Sequence, residues 1–171
     1  MITSRSRSRT ITAAGTARPP RNAFGGWVSG NANTGLRNQA YGGTFSGTYG
    51  SLGKNGFEND HDAGTVWCQA LLDVNEVLGN RVDAARGDEL GWQIVFDSLR
   101  LLHPGPEGPT FLHARDAVLS VLDRIDAARL TGDQDDLKRG VWKAFAKRGM
   151  GPAAVSGSAG FTKIKEDRGG A

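Results

Sequence analysis

From Asp60 to Arg148 the apolar side chains recur every three or four positions, in four windows separated by strong stop signals. That pattern restricts the chain to an assembly of short amphipathic helices. The first window puts Val66, Trp67, Ala70, Leu71, Val74, Val77 and Leu78 on one stripe, with N-caps offered by Asn59, Asp60 and Asp62 and a stop at Gly79-Asn80. The second, from about Asp88 to Leu102, turns Leu90, Ile94, Val95, Leu99 and Leu102 inward, and His103-Pro104-Gly105-Pro106 ends it. Thr110 caps a third helix that reaches about Ala128 on the stripe Phe111, Ala114, Ala117, Val118, Val121, Leu122 and Ile125. The fourth, about Asp133 to Arg148, buries Leu137, Val141, Trp142, Phe145 and Ala146; acids lead it, bases trail it and Gly149 stands at C′. Trp142 and Phe145 are expected to pack on the third helix, at Phe111 and Val118.

Upstream the pattern vanishes. Ten glycines lie between Phe24 and Phe57, and each costs about 1 kcal/mol in a helix interior. This segment is therefore loop and turn, with room for a short strand near Thr44-Phe45 and with aromatics that lie on another surface. Seven of the 21 basic side chains and none of the 18 acidic ones precede Glu58, which leaves the rest of the chain at a net charge of −4. Residues 1–23, rich in Ser, Arg and Thr, read as a disordered leader. Such a leader can bind polyanions by counterion release, but no aromatic residues interleave its arginines, so a solvated tail is the preferred reading and nucleic acid is not an expected partner. The leader has the charge of a signal peptide's first region without the apolar stretch that must follow, so no export signal is read. No apolar run is long enough to span a membrane, and the single cysteine, Cys68, makes no internal disulfide. The fold class is mainly α: a compact lobe of about four helices. Its organisation is a disordered basic leader (1–23), a Gly-rich coil packing on the lobe (24–60), the helical lobe (61–151) and a flexible tail (152–171).

Three blocks in fixed order carry a resemblance: His61-Asp62-Ala63-Gly64-Thr65-Val66-Trp67, then Pro109-Thr110-Phe111-Leu112-His113-Ala114-Arg115-Asp116-Ala117, then Trp142-Lys143-Ala144-Phe145-Ala146-Lys147-Arg148-Gly149-Met150-Gly151. Together they resemble the C-terminal helical lobe of the fungalysin family of secreted, thermolysin-like zinc metalloendopeptidases. Gly35-Leu36-Arg37 and Thr48-Tyr49-Gly50-Ser51-Leu52 resemble two further family motifs in the right order. The resemblance implies a helical lobe facing a zinc-bearing lobe across a cleft, hydrolysis of peptide bonds in extracellular proteins, and zinc as the family's cofactor. It also implies a role for His61, as donor of a hydrogen bond to the oxyanion formed when water attacks the scissile carbonyl. The family's HExxH motif, which supplies its zinc ligands, does not occur in this sequence. An acid is common in the family where Thr65 stands here.

The chain thus reads as a truncated or degenerate family member, inactive alone, with no zinc expected on it. Its partners would be a zinc-containing half or a polypeptide substrate. The competing reading is a non-catalytic helical module that binds a peptide or protein. His61, His103 and His113 show no i, i+4 pair, the spacing that sets two imidazoles on one helix face, so a separate zinc site is not expected. Glu58 or Asp60 could hold the His61 tautomer. Arg115 and Asp116, adjacent on a helix, should diverge, leaving Arg115 to bond a carbonyl or acid elsewhere. Cys68 reads as a small core or boundary residue.

Overall fold

A computed structural model describes residues 24–31, 33–54, 56–102, 108–125, 133–156, 161 and 163–170. The expected leader (1–23) and His103 lie outside the described residues. Among these residues five α-helices follow in order: α1 (Gly26–Ser29), α2 (Asp60–Arg81), α3 (Ala84–Leu99), α4 (Phe111–Leu122) and α5 (Gln134–Lys147). Helices α2 to α5 are the four expected from the periodicity, and no helix is long and apolar enough to cross a membrane among the described residues.

The central helix is α2. Asn59 caps it by accepting from the Asp62 amide (2.9 Å), and Val66, Ala70, Val74 and Leu78 run along its buried side. It does not stop at Gly79-Asn80 but continues to Arg81. The reason lies across the interface: a Cβ on Gly87 of α3 would stand 2.5 Å from the Gly79 Cα. These glycines serve close helix approach, not termination. The break comes two residues later at Asp83, whose carboxylate accepts from the Arg86 amide (3.0 Å) and starts α3 at Ala84, earlier than the expected Asp88.

On α3 the buried row is Leu90, Ile94 and Ser98. Leu99, expected inward, is 56 % exposed. The four-residue row from Leu90 through Ile94 lands on Ser98, whose hydroxyl is satisfied by the Val95 carbonyl (2.7 Å), while Leu99 falls one step round the helix. Helix α4 opens with a reciprocal cap: Thr110 Oγ1 accepts from the His113 amide (3.3 Å) and His113 Nδ1 accepts from the Thr110 amide (3.2 Å). Helix α5 closes as expected, with Gly149 at φ 79° and its amide donating to the Ala146 carbonyl (2.8 Å).

The last helix packs chiefly on α2, not on the α4 stripe expected of it. Phe145, fully buried, stacks on Trp67 with ring centroids 6.0 Å apart, and Trp67 in turn meets Phe111 at 5.7 Å. A bulky α2 aromatic therefore stands between the two elements that the stripes alone would have joined. Trp142 is only half-buried and lies beneath the Arg115 guanidinium, 5.0 Å from its ring centroid.

The Gly-rich coil contributes Phe45, Tyr49, Leu52 and Phe57 to the core, each at most 4 % exposed. Residues 42–48 are turn and coil without a strand; the Phe45 amide donates back to the Gly42 carbonyl (3.0 Å), which turns the backbone away from extended pairing. Phe24 and Trp27 do not join the core, at 53 % and 95 % exposed. Past Gly151, the stretch read as a flexible tail makes specific contacts in its described part. Asp167 exchanges backbone hydrogen bonds with Gly149 and Gly151, and Val155 with Lys165. The Glu166 carboxylate accepts from Thr48 Oγ1 (2.8 Å) and the Gly50 amide (3.2 Å).

Candidate functional site

His61 occupies the first turn of α2, exposed to solvent. Three and seven residues on, Gly64 and Cys68 share its face. A Cβ on Gly64 would meet nothing within 4 Å, so the space beside the imidazole is open. Neither Glu58 nor Asp60 bonds the imidazole among the described residues; the Glu58 carboxylate instead accepts from the Gly56 amide (3.1 Å). The orienting acid expected from sequence is therefore not in place, because Glu58 is turned into the loop that precedes the cap.

Beyond His61 the same face meets the coil. The Tyr41 hydroxyl lies against Cys68 and Arg37. Burial, with Cys68 adding to it, pushes this hydroxyl up to about 12, against the opposing pull of Arg37. Arg37 also covers the Phe24 ring, 5.3 Å from its centroid. Farther along, Cys68, Leu71 and Asn75 of α2 and Gly91, Trp92 and Val95 of α3 line a mainly apolar cavity of about 230 Å³.

Behind this face lies a buried polar network. Asp73, 5 % exposed, accepts from Arg148 Nε (2.6 Å), Gln69 Nε2 (3.1 Å) and Lys147 Nζ (3.3 Å). Arg148, itself 4 % exposed, donates onward to the Phe45 carbonyl (2.8 Å), and Gln69 Oε1 accepts from the Gly42 amide (2.7 Å). The network ties the coil that leads into α2 to both α2 and the end of α5. It went unseen in the sequence, although one signal was present: Asp73 falls on the buried stripe of α2, seven residues from Val66, where an unpaired acid could not stay.

Arg115 departs from expectation in one respect. Its guanidinium bonds the adjacent Asp116 (Nε to Oδ1, 2.8 Å) as well as the Met150 and Gly151 carbonyls (3.1 and 2.7 Å). The long Arg side chain folds back far enough to bridge the 100° between neighbouring helix positions. The Arg115-Asp116 pair thus anchors the exit of α5, which is a packing role.

A zinc ion needs three or four nitrogen, oxygen or sulfur donors converging on one point. Among the described residues no three His, Cys, Asp or Glu side chains stand in such a group. His113 also spends Nδ1 on its helix cap. The described residues therefore gather no donor set that fits the zinc implied by the resemblance, and what α2 offers at its head is the exposed imidazole of His61.

The sequence profile of the Fungalysin metallopeptidase (M36) family matches residues 6–154. The chain is 33 % identical over 150 residues to Extracellular metalloproteinase mep of Aspergillus fumigatus, covering 77 % of this chain and 21 % of that protein. It is 31 % identical over 147 residues to Extracellular metalloproteinase 3 of Trichophyton soudanense, covering 77 % of this chain and 34 % of the relative. With Extracellular metalloproteinase MEP of Fusarium vanettenii the match is 31 % over 166 residues, 85 % of this chain and 24 % of the relative. The chain spans between about a fifth and a third of the length of these curated relatives. With the family profile over most of its length and the helical lobe in place, the chain belongs to the fungalysin metallopeptidase family.

Proposed function

We propose that this chain supplies the substrate-facing helical lobe of a fungalysin-type zinc metalloendopeptidase acting on extracellular proteins. The observation that carries the reading is His61, an exposed imidazole at the head of the longest helix, with open space at Gly64 beside it. In that role its N–H donates a hydrogen bond to the oxyanion of the substrate carbonyl, which lowers the barrier only where negative charge develops. The first-turn peptide dipoles of α2 point the same way and favour that charge. Zinc, held outside the described residues, supplies the activated water in such enzymes. The proposed task of this chain is to orient the donor. The Asn59 cap and the Asp73–Arg148 network fix the helix that carries it.

The test is complementation. The chain alone, with zinc added, is expected to show no chelator-sensitive hydrolysis of casein. Mixed with the zinc-bearing lobe of a relative, it is expected to restore hydrolysis. His61→Ala should then lower kcat by about 10²–10³-fold, the usual loss on removing one oxyanion donor, with little change in KM. Full activity of His61→Ala in the complemented enzyme, or chelator-sensitive hydrolysis by the chain alone, would overturn the assignment.

A further inference from the structure

While α3 buries Leu90, Ile94 and Ser98, its neighbouring four-residue row points outward and reads Asp88, Trp92, Phe96, Arg100. Residues four apart on a helix form a ridge. This one has an acid at its N-terminal end, a base at its C-terminal end and two aromatics between them. Trp92 and Phe96 are 66 % and 60 % exposed and stack on each other with centroids 5.9 Å apart; Leu99, 56 % exposed, lies alongside. Asp88 is steadied by Asn75 Nδ2 (2.6 Å), whereas Arg100 reaches into solvent with a loose 3.7 Å contact to Asp97.

Such a row complements itself only when turned end for end. In a parallel pair, Asp88 would face Asp88 and Arg100 would face Arg100. In an antiparallel pair about a twofold axis, Trp92 meets Phe96 of the second copy and Asp88 meets its Arg100, and each contact occurs twice. We propose that two copies of this chain associate through α3 in this antiparallel register. A fully covered aromatic side chain buries about 150–250 Å². Only about two-thirds of each ring is still free to be covered, so the four rings and two leucines of such a pair bury on the order of 800 Å², the size of a weak, transient contact. The expected complex is a weak, reversible dimer whose register is set by the flanking charges. A second exposed apolar group among the described residues, Phe24, Trp27, Val28 and Leu36, has no comparable pairing of opposite charges in one row.

Sedimentation velocity on the full chain tests this, run over concentrations from about 5 µM to about 1 mM, with circular dichroism on every variant to confirm its helicity. The expected result is a monomer–dimer equilibrium with Kd of roughly 10–100 µM. Phe96→Asp should abolish it. Arg100→Asp, which sets acid against acid, should raise Kd about tenfold or more, and adding Asp88→Arg to that variant should restore it to within about threefold by reversing both pairs. Three results would overturn the proposal: a wild-type chain that stays monomeric throughout, a dimer indifferent to Phe96→Asp, or a double charge reversal that fails to recover. The second would place the contact elsewhere, as at Trp27. Should the first be accompanied by protection of Trp92 on adding a relative's zinc-bearing lobe, the row belongs to that interface instead.

Discussion

Replacing Arg148 by Met tests the buried network most directly, because Met preserves much of the stem and removes only the guanidinium. In the structure that guanidinium bonds the Asp73 carboxylate at 2.6 Å and the Phe45 carbonyl at 2.8 Å, and its carbon stands 5.5 Å from the Phe45 ring centroid. After the substitution Asp73 keeps Gln69 and the half-exposed Lys147, so its charge is not wholly abandoned. Breaking a buried pair from one side typically costs 3–5 kcal/mol, because the remaining charge is left in a poor environment. With Lys147 still present, the expected loss is about 3 kcal/mol, the low end of that range. A lobe of about 90 residues has only about 5–14 kcal/mol in total, so the loss is a large share of its stability. Urea denaturation followed by circular dichroism should show the midpoint falling with little change in slope. The double variant Asp73→Asn/Arg148→Met should be less damaging than the sum of the single changes, since neither then leaves a lone buried ion. A loss below about 1 kcal/mol in Arg148→Met, or strict additivity in the double variant, would refute the argument that this pair clamps the coil.

Three further outcomes follow from the packing and the titration. Gly87→Ala forces α2 and α3 apart at the Gly79 contact and should cost about 1–3 kcal/mol in thermal unfolding, whereas Gly64→Ala, facing open space, should be neutral or slightly stabilising. Phe145→Ala should destabilise by about 3–5 kcal/mol and clearly more than Trp142→Ala, because Phe145 is fully buried and Trp142 is not; equal losses by calorimetry would contradict the observed packing. The chain has two tyrosines, and both hydroxyls are raised above 10, chiefly by burial, Tyr41 to about 12. Between pH 10 and 12 the unfolded chain has lost the Tyr41 proton while the folded one keeps it, so stability falls as pH rises through that window. Phenolate absorbance should show neither tyrosine ionising at its ordinary value in the folded protein, and half the signal titrating near pH 10 would contradict this.

The helices were legible because their signals are local: caps at Asn59 and Thr110, acids leading the last helix, a glycine stop at Gly149, and stripes that repeat within a few residues. Legibility failed where the deciding partner lay elsewhere in the chain. Gly79 reads as a stop until Gly87 is placed against it, and Leu99 reads as core until Ser98 takes the buried row. Arg115 seemed too close in sequence to Asp116 to pair with it, yet its side chain is long enough to fold back. The candidate site divides in the same way. His61 came from a contiguous block at a helix start. Asp73 and Arg148 are separated by 75 positions, and no spacing rule links them. The contacts of Glu166 with Thr48 and Gly50 were hidden for the same reason, in a tail whose composition suggested nothing to hold it.

The reach of Arg148 also bears on the order in which the chain assembles. Its contact with Phe45 spans 103 positions, whereas α2 and α3 are joined through a two-residue link and can meet almost as soon as they form. Closing a loop that long carries an entropic cost that grows with its length, and long-range contacts of this kind slow folding relative to local ones. The α2–α3 hairpin is thus expected to form early, and the docking of the Gly-rich coil by Arg148 late. The segment that leads into His61 would then be among the last parts of the lobe to lock and, on the reverse path, among the first to let go.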